Sequence, residues 1–379
     1  MKIETFDLER IQSLWENTVK YNLTESGLHP YTVKELLDTP AIDNLLNLRL
    51  GYGQTNGSDE LRTAVSRLYG GADLDNILVT NGSSEANLIV TLSQLEPGDE
   101  LLFMVPNYMQ IWGLARSFDV DVKTFHLREE LKWGPDLDEL KAQLSPRTKM
   151  IAVCNPNNPT GATMSQHDMK EIVNLAQQAD AWIYSDEIYR GAELDGRETP
   201  SFWGLYDKVV VNGGLAKAYG LAGVRIGWLV GPKNQIENCW HCRDYTSICC
   251  GILSQRLATL VLQPDMRKKV LSRGRKMINQ NLAELTKWVQ KHHNLFHFIP
   301  PRAGAIVFMR YNLDINSRQL SNMLREQKSV FVLDGDCFGM DHYLRIGIGS
   351  EKEYFLTALN LIDELLHEIK TDLPQKTTC

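Results

Sequence analysis

Short apolar runs alternate with amphipathic stretches along residues 58–230, and this alternation is the feature that most restricts the possible folds. The amphipathic stretches, such as 165–178, carry apolar residues near the helical period. Strands that alternate with helices form mostly parallel sheets covered on both faces. We therefore predict an α/β fold with a mostly parallel, seven-stranded sheet, whose strands are 76–80, 100–105, 120–126, 149–154, 181–186, 208–213 and 225–231.

The pattern changes after residue 231. Helical periodicity continues to about residue 290, with long runs at 235–263 and 266–290. Strand-like runs at 295–300, 305–310, 329–334 and 343–349 then alternate with helical patterns at 316–327 and 351–370. A chain of 379 residues accommodates about two domains. We predict a large domain over 46–275 and a smaller α+β domain over 276–379, which residues 1–45 join as an arm.

Charge and hydropathy limit the partners. A net charge of −7 without a basic block argues against nucleic acid or an anionic membrane as the partner, and favours a small molecule. No run approaches the roughly 20 apolar residues of a membrane span. Acidic residues lie within the first ten positions, and no apolar run of signal-peptide length follows. We therefore expect a cytoplasmic protein.

Four of the seven cysteines lie close together and raise the question of a zinc site. Structural zinc sites usually repeat a spaced pair, whereas the second pair here is adjacent. We interpret all four as buried or half-buried thiols on helices, kept reduced in the cytoplasm, and expect no metal. They are Cys239, Cys242, Cys249 and Cys250.

Four polar stretches end or follow predicted strands, where ligands collect in open α/β sheets. The first, "VTNGSSEA" (79–86), combines a helix start with the hydroxyls of Ser83 and Ser84, which suits a phosphate and equally suits an ordinary N-cap. The second, "CNPNNPTG" (154–161), is a rigid turn. The others are "YSDEIY" (184–189), with Asp186 at a strand end, and "GLAKAYGLAGVRIGW" (214–228), with Lys217 and Arg225 among apolar residues. Singly, each also fits a structural role.

Together these stretches supply what an aromatic aldehyde phosphate cofactor requires: an amine, an acid for the ring nitrogen, donors for the phenolic oxygen and a cationic phosphate seat. The motifs N-P-x-N-P-T-G, S-D-E-x-Y and K-x-x-G-x-x-x-x-R-x-G at these spacings resemble those of the class I and II aminotransferases. These are fold-type I enzymes that use pyridoxal 5'-phosphate. The resemblance covers about residues 20–365 and implies a homodimer with shared active sites.

The resemblance also implies roles for individual residues. Lys217 would form the Schiff base and carry protons, and Asp186 would pair with the pyridinium nitrogen. Arg345 in "YLRIGIG" would bind the α-carboxylate of an amino-acid substrate. The other expected cofactor contacts are Ser83, Ser84 and Arg225 to the phosphate, with Tyr52 from a neighbouring subunit; Asn158 and Tyr189 to the phenolic oxygen; and Tyr108 stacked on the ring. Tyr189 joins Lys217 and Asp186 as an expected catalytic residue.

Two segments depart from the common aminotransferase pattern. Many members carry Ser-x-Ser before the lysine, whereas this chain carries Gly214-Leu215-Ala216. A hydrogen bond to a charged group is worth about 1.5–3 kcal/mol, so we expect weaker phosphate binding unless other donors compensate. The difference is either drift at a site with redundant donors or a change of use.

The second departure comprises the arm "YNLTESGLHPYTVKELL" (21–37) and "LDGDCFG" (333–339), where the usual Pro-Gly is Asp334-Gly335. Both resemble capreomycidine synthases, which cyclise hydroxylated arginine on pyridoxal phosphate. Within that subgroup the similarity is strongest to the enduracididine-forming cyclodehydratases of guanitoxin biosynthesis.

A guanidinium substrate needs carboxylate or carbonyl partners. We expect these from Asp7, Glu9 and Glu25 of the arm, and the alternative for each is a solvated acidic side chain. Ser26 and Gly27 are expected to help seat the substrate carboxylate. His29 is expected to move protons near the γ-carbon, because a histidine pKa lies near neutrality; a structural histidine before proline is the alternative.

The resemblance thus implies a cyclodehydratase that converts γ-hydroxy-L-arginine into enduracididine. Two catalytic alternatives use the same cofactor residues, namely an ordinary amino-acid aminotransferase and a capreomycidine synthase acting on β-hydroxyarginine. A third alternative is a non-catalytic regulator on this fold. The retained Lys217 and Asp186, and the lack of a helix-turn-helix pattern before residue 20, argue against a regulator.

Overall fold

The computed structural model describes residues 3–372. The α-helices are α1 (Asp7–Trp15), α2 (Val33–Leu36), α3 (Thr39–Leu46), α4 (Asp59–Ser66), α5 (Ser83–Gln94), α6 (Gln110–Ser117), α7 (Leu137–Gln143), α8 (Gln166–Gln178), α9 (Lys233–Arg243), α10 (Ile252–Val261), α11 (Pro264–Lys291), α12 (Ser317–Lys328) and α13 (Lys352–Asp372). Short 3-10 helices lie at Leu74–Asn76, Glu129–Leu131, Ala222–Val224 and Gly335–Phe338.

The strands form one large sheet and a smaller one. They are β1 (Tyr21–Asn22), β2 (Ile77–Thr80), β3 (Glu100–Val105), β4 (Asp121–Arg128), β5 (Gly134–Pro135), β6 (Thr148–Cys154), β7 (Trp182–Asp186), β8 (Val209–Gly214), β9 (Gly227–Val230), β10 (Phe296–Phe298), β11 (Ile306–Tyr311), β12 (Val330–Phe331), β13 (Leu333–Asp334) and β14 (Tyr343–Gly347).

The large sheet has the order β2-β9-β8-β7-β6-β3-β4-β5. Strands β8, β7, β6, β3 and β4 are parallel, whereas β9 runs antiparallel to both of its neighbours. The predicted α/β class with a mostly parallel sheet is confirmed, and each predicted strand of this sheet is present. The predicted number of seven is one too few, because the two residues of β5 turn back and pair with the end of β4.

Apolar side chains cover both faces of the large sheet. Leu102 and Met104 of β3 belong to one buried cluster, and Leu101 and Phe103 between them belong to another on the opposite face. This alternation follows from the two-residue period of a strand. A sheet buried on both faces explains why its strands read as continuous apolar runs in the sequence.

The central parallel strands bring three of the four polar stretches to one edge. Cys154 at the end of β6 lies beside Asp186 at the end of β7, and Asp186 lies beside Asn212 of β8. The loops that follow these strands therefore start next to one another. This register places the "CNPNNPTG", "YSDEIY" and "GLAKAYG" stretches around a common opening.

A four-stranded antiparallel sheet of order β10-β11-β14-β13 forms the smaller unit, and β1 of the arm pairs in parallel with β12. Helix α11 contributes Val270 and Leu271 to a large-sheet cluster and Ile278 and Leu285 to the cluster of the smaller sheet. The domain boundaries after residues 45 and 275 stay predictions. Residues 373–379, at the end of the predicted small domain, lie outside the described residues.

The predicted helical run at 235–263 is wrong, because α9 ends at Arg243 and α10 begins at Ile252. Between them, Ile248 has a φ of +62°, a left-handed conformation that an α-helix does not accommodate. Cys239 and Cys242 therefore lie on a helix as expected, whereas Cys249 and Cys250 lie in the connection.

Among residues 3–372, no helix combines the length and apolar character needed to cross a bilayer. Nor does any group of three or more His, Cys, Asp or Glu side chains in this range adopt an arrangement suited to a metal ion.

Candidate functional site

A cavity of about 310 Å³ opens at the carboxyl ends of the central strands. It lies where α5, the loops after β6, β7 and β8, strand β14 and the arm meet. The structure brings twelve of the residues singled out in the sequence to this cavity: Glu9, Glu25, Ser26, Ser83, Ser84, Tyr108, Asn158, Asp186, Tyr189, Lys217, Arg225 and Arg345.

The start of helix α5 lines the cavity together with Arg225. Its N-cap is Gly82, with a φ of +78°, so Ser83 and Ser84 do not cap the helix but occupy its first turn. A Cβ atom at Gly82 would lie 2.4 Å from a guanidinium nitrogen of Arg225. Only glycine permits this approach, which holds a cation against a helix N-terminus. The arrangement suits a phosphate.

Lys217 follows β8 and forms an ion pair with the arm, since its Nζ lies 3.0 Å from Glu25 Oε1. The Gly27 N–H also donates to this oxygen, at 2.6 Å. The lysine charge holds the pKa of Glu25 at about 2. Burial lowers the pKa of Lys217, but Glu25 more than offsets this effect and the net pKa is raised. Without a cofactor, the amine is therefore an ammonium held by the arm.

Asp186 is a buried carboxylate at the end of β7. Its Oδ1 accepts a hydrogen bond from the Ile188 N–H at 3.1 Å, and burial raises its pKa to about 6. Within the described residues its side chain takes part in no ion pair, although Lys217 lies near enough to lower its pKa partly. A buried carboxylate of this kind is completed by a cationic N–H partner, which a protonated pyridine ring provides.

Arg345 reaches the cavity from β14 and is almost fully buried. It donates from Nη1 to Asn158 Oδ1 at 2.9 Å and from Nη2 to the Thr24 carbonyl at 2.5 Å. Its Nε has no hydrogen-bond partner among the described residues. Burial lowers its pKa. A guanidinium with neutral partners and one unused donor is suited to binding a carboxylate.

Tyr189 and Tyr108 both line the cavity, and the hydroxyl of each donates a hydrogen bond to the arm. The Tyr189 hydroxyl donates to Ser26 Oγ at 2.9 Å, which ties the loop after β7 to the arm. The Tyr108 hydroxyl donates to Glu9 Oε1 at 2.7 Å, and the ring of Phe6 packs edge-on against Tyr108. Helix α1 therefore lies over the cavity.

Glu16, at the end of α1, also lines the cavity, although the sequence analysis did not select it. Burial raises its pKa, and the neighbouring charges of Glu25 and Glu9 raise it further. The signal in the sequence was its spacing, because positions seven apart on a helix share one face. Glu9 and Glu16 have this spacing, so the helix presents two carboxylates to one space.

Two predicted residues lie outside this cavity, in a neighbouring one of about 240 Å³. Gly27 separates the two spaces, and a Cβ atom on it would lie 3.0 Å from the Ala216 carbonyl oxygen. His29 Nε2 lies 3.6 Å from Glu351, on the far side of the arm from Lys217. The structure therefore does not bring His29 to the expected reaction site, because the backbone at 25–27 intervenes.

Two further arm and surface residues also face elsewhere. Tyr52 does not line this chain's cavity, and 87% of its surface is exposed. Its role in a neighbouring subunit stays a prediction. Asp7 pairs with Arg318 at 2.7 Å and does not line the cavity.

Gly214 and Ala216, which stand where many aminotransferases carry serines, have different surroundings in the structure. A Cβ atom at Gly214 would lie 2.8 Å from Ile188 Cδ1 and 3.1 Å from the Ile226 carbonyl oxygen. A serine at 214 would therefore require the Ile188 side chain and the backbone at 226–227 to shift. Ala216, in contrast, lines the cavity.

The chain is similar in sequence and in fold to known proteins that use pyridoxal phosphate. The sequence profile of aminotransferase class I and II matches residues 23–361. Capreomycidine synthase of Streptomyces vinaceus is 28% identical over 354 residues, which is 92% of this chain and 90% of that protein. A PLP-dependent aminotransferase from Streptococcus suis 89-1591 has a crystal structure that superposes with a TM-score of 0.92 at 32% identity, over 97% of this chain and 99% of that chain. The PLP-dependent cyclase OrfR superposes with a TM-score of 0.88 at 24% identity, over 97% of this chain and 98% of that chain.

Proposed function

The chain belongs to the class I and II aminotransferase family, whose cofactor is pyridoxal 5'-phosphate, and we propose that it is a cyclodehydratase that converts γ-hydroxy-L-arginine into enduracididine. The predicted fold type and cofactor are confirmed by this membership. The substrate and the reaction type are the proposal.

The cavity residues fit the cofactor. Arg225 and the first turn of α5 would hold its phosphate, the buried Asp186 would hold the protonated ring nitrogen, and Lys217 would bind its aldehyde. We propose that Tyr108 stacks on the face of the cofactor ring. The phenolic oxygen of the cofactor would accept hydrogen bonds from Asn158 and Tyr189. Arg345 would bind the substrate's α-carboxylate, beside the Ser26 hydroxyl.

The observation that carries the proposal is the acidic wall of the cavity, formed by Glu9, Glu16 and Glu25 of the arm. A site for an apolar side chain does not need three carboxylates, and their mutual repulsion destabilises the empty cavity. A guanidinium offers five N–H donors and a permanent charge, which matches this wall. Glu25 is paired with the Lys217 ammonium in this structure. A lysine that is bound to the cofactor, or that acts as a neutral base, would lack this charge, and Glu25 would then be available to the substrate guanidinium.

Bound pyridoxal phosphate supplies an electron sink joined to the substrate's α-amino group. In the proposed reaction Lys217 removes the α-proton, and loss of a β-proton then allows the γ-hydroxyl to leave as water. A terminal guanidine nitrogen adds to the γ-carbon and closes a five-membered ring, and the protons return to the β- and α-carbons. One water is lost per substrate, and no amino group or electron pair passes to a second molecule.

The ring closure needs a base near the guanidine, because a protonated guanidinium has no free lone pair for the attack. Glu16 meets this need best. The raised pKa of its carboxyl, caused by burial and by Glu25 and Glu9, favours acceptance of the proton as the carbon–nitrogen bond forms.

The two catalytic alternatives, a capreomycidine synthase and an ordinary aminotransferase, are each supported by a similar protein. The similarity to capreomycidine synthase supports a cyclase, and with β-hydroxyarginine the attack at the β-carbon would give the six-membered ring of capreomycidine. The similarity to the aminotransferase from Streptococcus suis supports ordinary transamination. The segment "LDGDCFG" resembles the capreomycidine synthase subgroup as a whole. We favour the five-membered product because, within that subgroup, the chain resembles the enduracididine-forming cyclodehydratase.

A homodimer is a further part of the proposal. Exposed apolar side chains, among them Leu46, Leu50, Tyr52 and Tyr245, lie on this chain's surface, as is typical of a protein interface. Light scattering should give twice the chain mass, and Tyr52→Phe should lower the affinity for pyridoxal phosphate if Tyr52 reaches a neighbouring site. A cytoplasmic location stays a prediction.

Mass spectrometry of the product tests the proposed function. The cofactor-loaded protein is incubated with γ-hydroxy-L-arginine, with and without 2-oxoglutarate, and Lys217→Ala serves as the inactive control. We expect a product one water lighter that forms without the keto acid. Glutamate formed only with 2-oxoglutarate, and no dehydrated product, would establish the aminotransferase instead. A dehydrated product from β-hydroxyarginine alone would favour the capreomycidine reaction.

A further inference from the structure

Helix α1 carries Glu9 and ends beside Glu16, so its position sets the acidic wall. One charged contact of this helix leads away from the cavity. Asp7, the first residue of α1, lies 2.7 Å from Arg318 in the first turn of α12. Arg318 also donates from Nε to Asp334 Oδ1 at 3.0 Å. One guanidinium thus joins the arm to the segment 333–339.

Asp334 is not an ordinary surface partner for this arginine. Only 1% of its surface is exposed, and its Oδ2 has no hydrogen-bond partner among the described residues. A buried carboxylate depends on its cation, and Arg318 provides that charge here. Because Asp334 sits in a strand, its carboxylate is a fixed point against which Arg318 is oriented toward Asp7.

The same segment contacts the other end of the substrate site. Leu333 and Asp334 form β13, and Leu333 lies directly opposite Arg345 in the strand pair β13–β14. The guanidinium of Arg345 also lies 5.6 Å from the ring centre of Phe338. Residues 333–338 therefore touch the arginine proposed for the α-carboxylate and, through Arg318, the helix proposed for the guanidinium.

We propose that Arg318, which is oriented by the buried Asp334, is a positioning residue for the distal end of the substrate, because its contact with Asp7 holds helix α1 and its carboxylates in place relative to Arg345. The proposal rests on guanidinium recognition by the arm, as in the proposed function. It also gives a physical reason why a chain with an acidic arm carries Asp334-Gly335 in place of the usual Pro-Gly, since proline offers no charge to orient Arg318.

Ligand binding tests this proposal without turnover. L-Arginine and L-norvaline share a carbon chain, but only arginine has a guanidinium. Dissociation constants for both are measured from the absorbance change of the cofactor-loaded protein, and amide hydrogen exchange is measured over residues 7–15. Arg318→Gln is expected to weaken arginine binding about five- to tenfold, to leave norvaline binding within about twofold, and to speed exchange in α1.

Further variants separate positioning from general damage. Arg318→Lys should recover part of the arginine affinity, because an ammonium keeps the charge. Asp7→Asn should weaken arginine binding, yet add little to Arg318→Gln in the double variant, since both break one link. The Arg318 variants change the cation beside the buried Asp334 and could unfold the protein for that reason alone. Asp7 is half-exposed, so Asp7→Asn should stay folded and keeps the proposal testable. Asp75→Asn, which breaks the exposed pair with Lys233, is the matched control and should change neither ligand.

The two proposals fail in different ways. If Arg318→Gln and Asp7→Asn leave the ratio of the arginine and norvaline dissociation constants at its wild-type value, or weaken both ligands equally, the positioning role is refuted, whatever the product of the enzyme. If these variants shift the ratio as expected but γ-hydroxy-L-arginine loses no water, the positioning role stands and the cyclodehydratase assignment falls.

Discussion

Replacing Asp186 with asparagine should stabilise the cofactor-free protein at neutral pH. Burial raises the pKa of this carboxyl from its usual 3.8 to about 6. Each pKa unit corresponds to about 1.4 kcal/mol, so the ionised side chain costs the folded state about 3 kcal/mol above pH 6. Asparagine has nearly the same shape and keeps the acceptor for the Ile188 N–H without the charge.

The sign of the pH dependence follows from the proton count. Between about pH 4 and pH 6 the folded protein keeps the Asp186 proton that the unfolded chain has released, so wild-type stability falls as the pH rises through this window. The difference between Asp186→Asn and wild type should therefore be near zero at pH 4 and grow to about 3 kcal/mol at pH 7.5. Glu187, whose pKa burial raises to about 7, contributes equally to both proteins and cancels.

Urea unfolding of both cofactor-free proteins at pH 4, 5, 6 and 7.5, at one protein concentration, measures this difference. If the difference in unfolding free energy between the two proteins does not change with pH, or if the variant is less stable than wild type at pH 7.5, the reasoning is refuted. Asp186 would then not be a buried, unpaired charge that destabilises the cofactor-free protein. The same variant should bind pyridoxal phosphate more weakly, because the ring nitrogen loses its carboxylate.

Three further predictions follow from individual contacts. Glu16→Gln should raise the KM for γ-hydroxy-L-arginine about tenfold and also lower kcat, because Glu16 is the proposed base of the ring closure, with little effect on pyridoxal phosphate affinity. Glu4→Gln, which alters an arm pair outside the cavity, should leave KM and kcat unchanged in the same steady-state assay. Gly214→Ser should lower the melting temperature without raising cofactor affinity, because the new side chain meets the Ile226 carbonyl, whereas Ala216→Ser should be tolerated; equal thermal shifts would contradict this. Glu25→Gln should destabilise the cofactor-free protein at pH 7, and the penalty should fade as the pH falls from 4.5 toward 2, because Lys217 holds the pKa of Glu25 at about 2; a pH-independent penalty in urea unfolding would contradict it.

Much of the fold was predictable because it depends on local periodicity and strand order. Strands buried on both faces read as apolar runs, and parallel neighbours bring their carboxyl ends to one edge. This is why Ser83, Asp186 and Lys217 were found in the sequence and meet in one cavity.

The features that were missed depend on contacts between distant residues. Helix α9 stops at Arg243, whose buried guanidinium donates to the carbonyls of Thr55 and Val79, far away in the sequence. His29 was expected near the substrate because of its type, but the backbone path of the arm places it in another cavity. The tight space at Gly214 depends on Ile188 and β9, which no local pattern reveals.

The most direct test of the account is a proton NMR time course of the reaction with γ-hydroxy-L-arginine in D₂O, without any keto acid. The account predicts a single product that keeps its α-amino group, carries deuterium at the α- and β-carbons, and shows its γ-carbon bonded to a ring nitrogen in a five-membered ring. A product with a keto group at the α-carbon, or unchanged substrate with deuterium at the α-carbon alone, would contradict the proposed water loss and ring closure.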